Sequence, residues 1–366
     1  MPHQRNRSGP MHKLLRFAAA LAVALPATGA HAIAQRTFVS PNGADGNTVS
    51  NCSLAAPCRS FGAAITVTNT AGEIIVLDSA GYGPVVITKS VSIISPPGIY
   101  AGISVIAASG EGVTINTAGI NVTLKGLTIN GQAALTTGIH FTQGSRLDID
   151  GCTISNMGQE GILVDGSGTI TISNTTVVGN SGIGIHINAA AVATIAESLV
   201  ESNQSSGIAV RNGGNATVEH TTIVKNGNYG IWVDGAASGT RVAVTSSVVA
   251  DQAANSGIYA ATTGASGVSR LDVANTTVAR NNRGIELNAT AGGSVMAGVV
   301  SNQIVENPIA GVTVSGAGAT ARVSWNAVFR NGIGFNAVGG GILFSPVTNY
   351  VRDNTTNGTA TGDALL

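Results

Sequence analysis

Charge and aromatic rings are both scarce in this sequence of 366 residues: 10% are Asp, Glu, Lys or Arg and 4% are Phe, Trp or Tyr. A soluble domain ordinarily carries about 25% charge, so hydroxyl and amide side chains must finish this surface. With 18 basic residues against 18 acidic ones and no formal net charge, the chain lacks the basic stripe that gathers phosphates, which argues against a nucleic-acid partner. Long apolar runs are missing as well. The run from Phe17 to Leu25 is short of the ~20 residues a membrane span needs, and no second candidate follows it. A leucine ladder is absent too, which sets aside a leucine-rich-repeat solenoid.

Glycine is plentiful, with 49 residues, and its placement is periodic. A Gly followed by a large apolar residue occurs at Gly138-Ile139, Gly161-Ile162, Gly184-Ile185, Gly207-Ile208, Gly230-Ile231, Gly257-Ile258, Gly284-Ile285, Gly311-Val312 and Gly334-Phe335, at spacings of 23, 23, 23, 23, 27, 27, 27 and 23. A fixed period of this length marks a solenoid, whose repeats bury their apolar edges only by stacking on one another. The units are built from Val, Ile, Thr, Ser, Asn and Gly, which favour strands and tight turns over helices. Two strand patterns recur in each unit, the GIxV strand (Gly161 to Val164) and a second one (Thr169 to Ile172). The fold expected is all-β, a parallel β-helix in one elongated body.

Residues 11–32 read as an export signal: Lys13 and Arg16, the run Phe17 to Leu25, then Ala30-His31-Ala32 as a small-x-small cleavage site. Met11 stands just before it, which marks 1–10 as a candidate untranslated extension. The expected division is a signal over 1–32, an N-terminal cap region over 33–72, the β-helix over 73–344 and a tail over 345–366. Within the cap region Phe61, Ala64, Ile65 and Thr68 recur at helical spacing, as for an amphipathic helix covering the first coil. Cys52 and Cys58 form either a local disulfide, as export would allow, or two free thiols. Cys152, in a column with Thr175, Ser198 and Thr221, is expected to be a buried small residue. Asn156, Asn180, Asn203, Asn226, Asn307 and Asn331 precede the Gly steps, where stacked amides would satisfy turn backbone. Asn174-Thr175-Thr176 and Asn275-Thr276-Thr277 read as turns.

These coils, with Asn51-Cys52-Ser53, Pro57-Cys58-Arg59, Phe61, Ala64-Ile65 and Gly81-Tyr82-Gly83-Pro84-Val85, resemble the secreted bacterial right-handed parallel β-helix proteins of the pectin-lyase-like superfold. The resemblance covers nearly all the chain after the signal. It implies a right-handed coil and a secreted, periplasmic or cell-surface location. It leaves activity open, since such proteins include pectate and alginate lyases, polygalacturonases, epimerases and surface proteins. The polygalacturonase pattern of Asn-Thr-Asp, Asp-Asp, Gly-His-Gly and Arg-Ile-Lys is absent, as is the calcium-binding nonapeptide.

Counting from each anchor Gly as zero, positions +1 and +3 are apolar and face inward, so +2 and +4 are expected to face solvent. The +2 column contains His140, Leu163, His186, Ala209, Trp232, Tyr259 and Glu286; the +4 column contains Asp165, Asn188, Arg211, Asp234 and Asn288. Trp232 and Tyr259 on neighbouring coils, flanked by Asp165, Asn188, Asp234 and Glu286, suit a sugar chain, because coils ~4.8 Å apart nearly match the repeat of an extended polysaccharide. A lyase would need a base and a carboxylate clamp, for which His186 and Arg211 are the candidates. Asp148 and Asp150, alternates on one strand, are a carboxylate pair about 7 Å apart, yet Arg270-Leu271-Asp272 repeats Arg146-Leu147-Asp148 and points to a repeat feature. His140 and His186 lie ~9.6 Å apart, too far to share a tetrahedral metal, so neither metal nor cofactor is expected. Two functions stand side by side: a polysaccharide-binding protein with possible lyase-type processing, or a non-enzymatic rod of the cell envelope.

Overall fold

In the computed structural model, residues 34–361 are described apart from 107–109, 133–134, 236–238, 263, 265, 291 and 359; the expected signal over 1–32 lies outside the described residues. Each coil contributes strands to three parallel sheets. The Gly-Ile sheet has 12 strands, from Val85–Ile87 to Thr356–Gly358; a long sheet has 13, from Ala34–Val39 to Ile342–Phe344; a short-strand sheet has 12, from Ala80–Gly81 to Tyr350–Arg352. The coil is right-handed, the hand favoured for parallel crossovers between twisted strands. In the Gly-Ile sheet the register steps from Ile139 through Ile162, Ile185, Ile208, Ile231, Ile258 and Ile285 to Val312, all fully buried. One coil therefore equals one sequence repeat.

The third sheet was not separable in the sequence. Its strands, such as Thr153–Ser155, Thr176–Val178 and Leu199–Glu201, are 3 residues long with one buried residue or two, too short for alternation to show. A single left-handed residue turns the chain into them: Asn174 (φ 49°), Glu197 (49°), His220 (47°), Ser246 (49°) and Asn275 (51°). The residue after each turn points inward, and Thr175, Ser198 and Thr221 are buried as expected, with Cys152 in the same column. There the amide of Thr175 donates to Ser198 Oγ at 3.2 Å, and the Ser198 hydroxyl donates to the Ala196 carbonyl at 2.7 Å.

The stacked amides form a buried ladder. Asn180 Nδ2 donates to Asn203 Oδ1 at 2.8 Å, Asn203 Nδ2 to Asn226 Oδ1 at 2.9 Å, and the Asn226 backbone N–H to Gln252 Oε1 at 2.9 Å. Asn281, Asn307 and Asn331 continue it. Asn156 is not in the ladder: it is exposed with φ 56°, and Met157 fills the inward slot. The left-handed position thus belongs to the residue before each ladder amide, which frees the amide to reach the next coil. The same ladder explains the anchor glycines. A Cβ on Gly184 would lie 2.7 Å from Asn203 Nδ2 and 2.7 Å from the Gly207 carbonyl oxygen.

The cap helix spans Phe61–Val67 and begins where Ser60 accepts a hydrogen bond from the Ala63 amide. It buries Phe61, Ala64, Ile65 and Val67 against the first coil. Cys52 and Cys58 are disulfide-bonded beside it. Beyond Phe344 the coils go on: Tyr350–Arg352 and Thr356–Gly358 add to two sheets, and Asn349 and Asn354 extend the amide columns.

Candidate functional site

The outer face of the Gly-Ile sheet gathers the expected residues on successive coils. Strand register sets His186 beside Ala209, Trp232 beside Tyr259, Arg211 beside Asp234, and Tyr259 beside Glu286. The +2 and +4 positions are less open than alternation implies. Asp234 is fully buried and His186 is 7% exposed. Asp234 is covered because Arg211 reaches across it, Nη2 to Oδ2 at 3.4 Å, while the same guanidinium lies 4.4 Å from the Trp232 ring.

A column that sequence reading did not single out completes the face. The residue just before the anchor Gly leans onto the +2 residue of the next coil. Glu111 Oε1 meets His140 Nδ1 at 2.5 Å, Glu160 Oε1 lies 3.7 Å from His186 Nδ1, Tyr229 stacks on Tyr259 with ring centroids 4.4 Å apart, and the Ser256 hydroxyl donates to Glu286. Residue identity in this column varies from coil to coil, so no periodicity marks it; only the coil register shows which residues meet.

Two regions follow along the face. Toward the N-terminal coils, His140 stands between two carboxylates, with Nε2 3.0 Å from Asp165 Oδ2. Carboxylate oxygens only accept, so both contacts form as hydrogen bonds when both ring nitrogens carry protons. Asn188 donates to Asp165 Oδ1 at 2.8 Å and accepts from Asn212 Nδ2 at 2.9 Å. The His186 ring holds the Glu160 carboxyl below the ordinary carboxylate range, outweighing the burial that would raise it.

Farther along lies an aromatic platform: Tyr229 and Trp232 have centroids 6.2 Å apart, and Asn288 Nδ2 donates to the Tyr259 hydroxyl at 3.3 Å. Burial pushes the Tyr229 phenol up to about 12, with Tyr259 adding to the shift. Glu286 is also 3.8 Å from Arg283.

Buried polar atoms ordinarily find a partner within the protein or in bound solvent. Nine buried side-chain atoms among the described residues lack a protein hydrogen-bond partner, and six sit on this face: both ring nitrogens of His186, Ser206 Oγ, Arg211 Nε, Trp232 Nε1 and Thr313 Oγ1. The other expected carboxylate pair is structural. Asp148 accepts from Arg146 Nε at 2.7 Å and Asp150 pairs with Lys125 at 2.8 Å, on the long sheet. No three His, Cys, Asp or Glu among the described residues converge on a metal.

The family described as "Right handed beta helix region" matches residues 63–203 and 137–331. No curated protein matches the sequence. Similar solved structures include the A-module of a mannuronan C-5 epimerase of Azotobacter vinelandii, 12% identical over 79% of this chain and 88% of that one, with TM-score 0.60. A pectate lyase is 14% identical over 88% of this chain and 78% of that one, with TM-score 0.49. XylC in complex with xylose is 9% identical over 83% and 70%, with TM-score 0.46.

Proposed function

We infer that this chain, which belongs to the right-handed β-helix family, holds an extended, hydroxyl-rich polysaccharide along the outer face of its Gly-Ile sheet. The observation that carries this reading is the gathering of the partly exposed rings of Tyr229, Trp232 and Tyr259 on that one face, with the partly exposed amides of Asn188 and Asn288 beside them. Sugar rings present an apolar face to aromatic side chains and hydroxyls to polar ones, which is the chemistry this face offers. Coils ~4.8 Å apart repeat at nearly the length of a sugar unit. The arginines here are matched by acids: Arg211 by Asp234 and Arg283 by Glu286. A neutral polysaccharide therefore fits better than a polyanion.

The reading is one of binding. His186, the expected base, is 7% exposed and already faces Glu160, so it does not stand open to a substrate proton. Arg211 is occupied with Asp234 and Trp232 and shapes the platform. The Cys52–Cys58 bond fits an oxidising compartment, which supports export. Binding to an array of neutral and acidic polysaccharides tests the proposal, with Trp232→Ala beside the native chain. The expected outcome is a neutral-glycan ligand whose affinity falls at least ten-fold in the variant, about 1.4 kcal/mol, with the melting temperature little changed. Absence of any ligand, or a ligand indifferent to Trp232, would sink the reading and favour the envelope rod.

A further inference from the structure

The long sheet carries a second feature, away from the Gly-Ile face. Its outward columns are regular in the middle of the rod, where Thr171, Thr194 and Thr217 stack. Toward the C-terminal coils that column continues as Ala243, Asp272, Gly298 and Arg322, and its neighbour as Arg241, Arg270, Met296 and Thr320. Small residues alternating with long ones open a trough. One depression of about 510 Å³ is lined by Arg241, Arg270, Asp272 and Arg322 together with Met296, Ala297 and Gly298. A second, of about 290 Å³, adjoins it and shares Arg241 and Arg270.

The charges here are not matched as on the Gly-Ile face. Arg211, Arg280, Arg283 and Arg330 each pair with an acid. The side chains of Arg241 and Arg270 have neither a hydrogen bond nor an ion pair among the described residues, although they are direct neighbours in register. Two like charges on adjacent strands repel unless something neutralises them. Arg322 packs on the Phe344 ring at 4.6 Å, which holds it at the far end. Asp272 is the acid of the trough, so three guanidinium groups face one carboxylate. The apolar part of the lining has Leu271 and Ala297 buried and Met296 exposed. Gly298 leaves this part open; a Cβ there would come 2.9 Å from Asp272 Oδ1.

We propose that this trough is a binding site for a small organic anion with an apolar body, its acidic group held between Arg241 and Arg270 and its body lying over Met296, Ala297 and Gly298. Paired guanidinium groups offer planar, bidentate donors to a carboxylate, sulfonate or phosphate. A volume of about 510 Å³ is within the range of small-molecule sites. A bare inorganic anion would leave the apolar part of the lining unused. The site is independent of the glycan face.

Calorimetric titration of the full chain with 1-naphthalenesulfonate, and separately with inorganic sulfate, tests it. The expected result is saturable one-to-one binding of the naphthalenesulfonate, tighter than sulfate. Arg241→Gln and Arg270→Gln should each weaken it at least five-fold, and Gly298→Leu, which fills the apolar part, should weaken naphthalenesulfonate more than sulfate. Arg280→Gln, whose parent side chain is paired with Asp251, and Trp232→Ala should leave it unchanged, and unfolding curves identify any variant that fails to fold. Absence of saturable binding, equal affinity for sulfate, indifference to both arginine substitutions, or loss in Trp232→Ala would overturn the proposal.

Discussion

The anchor glycines from Gly161 to Gly334 are confined from two sides, by a side-chain amide of the ladder and by the backbone of the following coil. For Gly184 the contacts a methyl would meet include the Gly207 carbonyl oxygen at 2.7 Å, which cannot move without shifting a strand. Gly184→Ala should therefore destabilise the protein by about 2 kcal/mol or more, as overpacking in a close-packed core does. Chemical denaturation would measure it, and a loss below ~0.5 kcal/mol would show that the coils yield more easily than their contacts imply. The glycine needs no unusual backbone angle here; it is required because space is absent.

The cross-coil ion pairs on the long sheet belong to the scale of the element. Hydrogen bonds from Lys125 first, and then from Asn174, hold the Asp150 carboxyl below its ordinary value of 3.8. A carboxyl whose folded value is depressed adds stability that is fully present above 3.8 and is lost as pH falls through the lower folded value. Melting temperature should accordingly drop on acidification below about pH 4, and Asp150→Asn should flatten that limb. An unchanged acid limb in the variant would mean that Lys125 and Asn174 do not favour the ionised form.

Much at this scale is legible in the sequence. The Gly steps gave the coil length, the spacing of Phe61, Ala64 and Ile65 gave the cap helix, and the column of Cys152 with Thr175 and Ser198 gave an inward slot. Asp234 and His186 were misread as solvent-facing because alternation describes backbone direction, whereas Arg211 and Glu160 arrive from other coils. Glu111, Glu160 and Tyr229 carry no sequence signal for the same reason. Their partners are 26 to 30 residues away, and contact between coils leaves no periodic trace. Asn156 resembles a ladder member in sequence because Asn serves both the left-handed turn and the inward slot, one position apart.

For the whole molecule, stability is built from neighbour to neighbour, so the ends matter as much as the middle. The N-terminal end is closed by the helix Phe61–Val67 and by the Cys52–Cys58 bond, which spans 6 positions. A loop this short restricts the unfolded chain by about 2 kcal/mol. Replacing both cysteines by alanine should cost that much, read as an earlier unfolding transition, without altering ligand binding at the Tyr229, Trp232 and Tyr259 platform, more than 150 residues downstream in the chain. Loss of binding in that variant would show that cap and face are coupled.

The leaning of one coil's pre-glycine residue onto the next coil has an evolutionary side. Inserting a copy of a different 23-residue unit, such as 161–183, just before Gly230 would keep every strand, both inward ladders and the glycine track in phase, and the molecule would simply be longer. The same event would part Arg211 from Trp232 and Asp234, which meet only because their coils are adjacent. In this architecture length is free to drift while neighbour order is not, so descendants would keep the rod and disperse the recognition face.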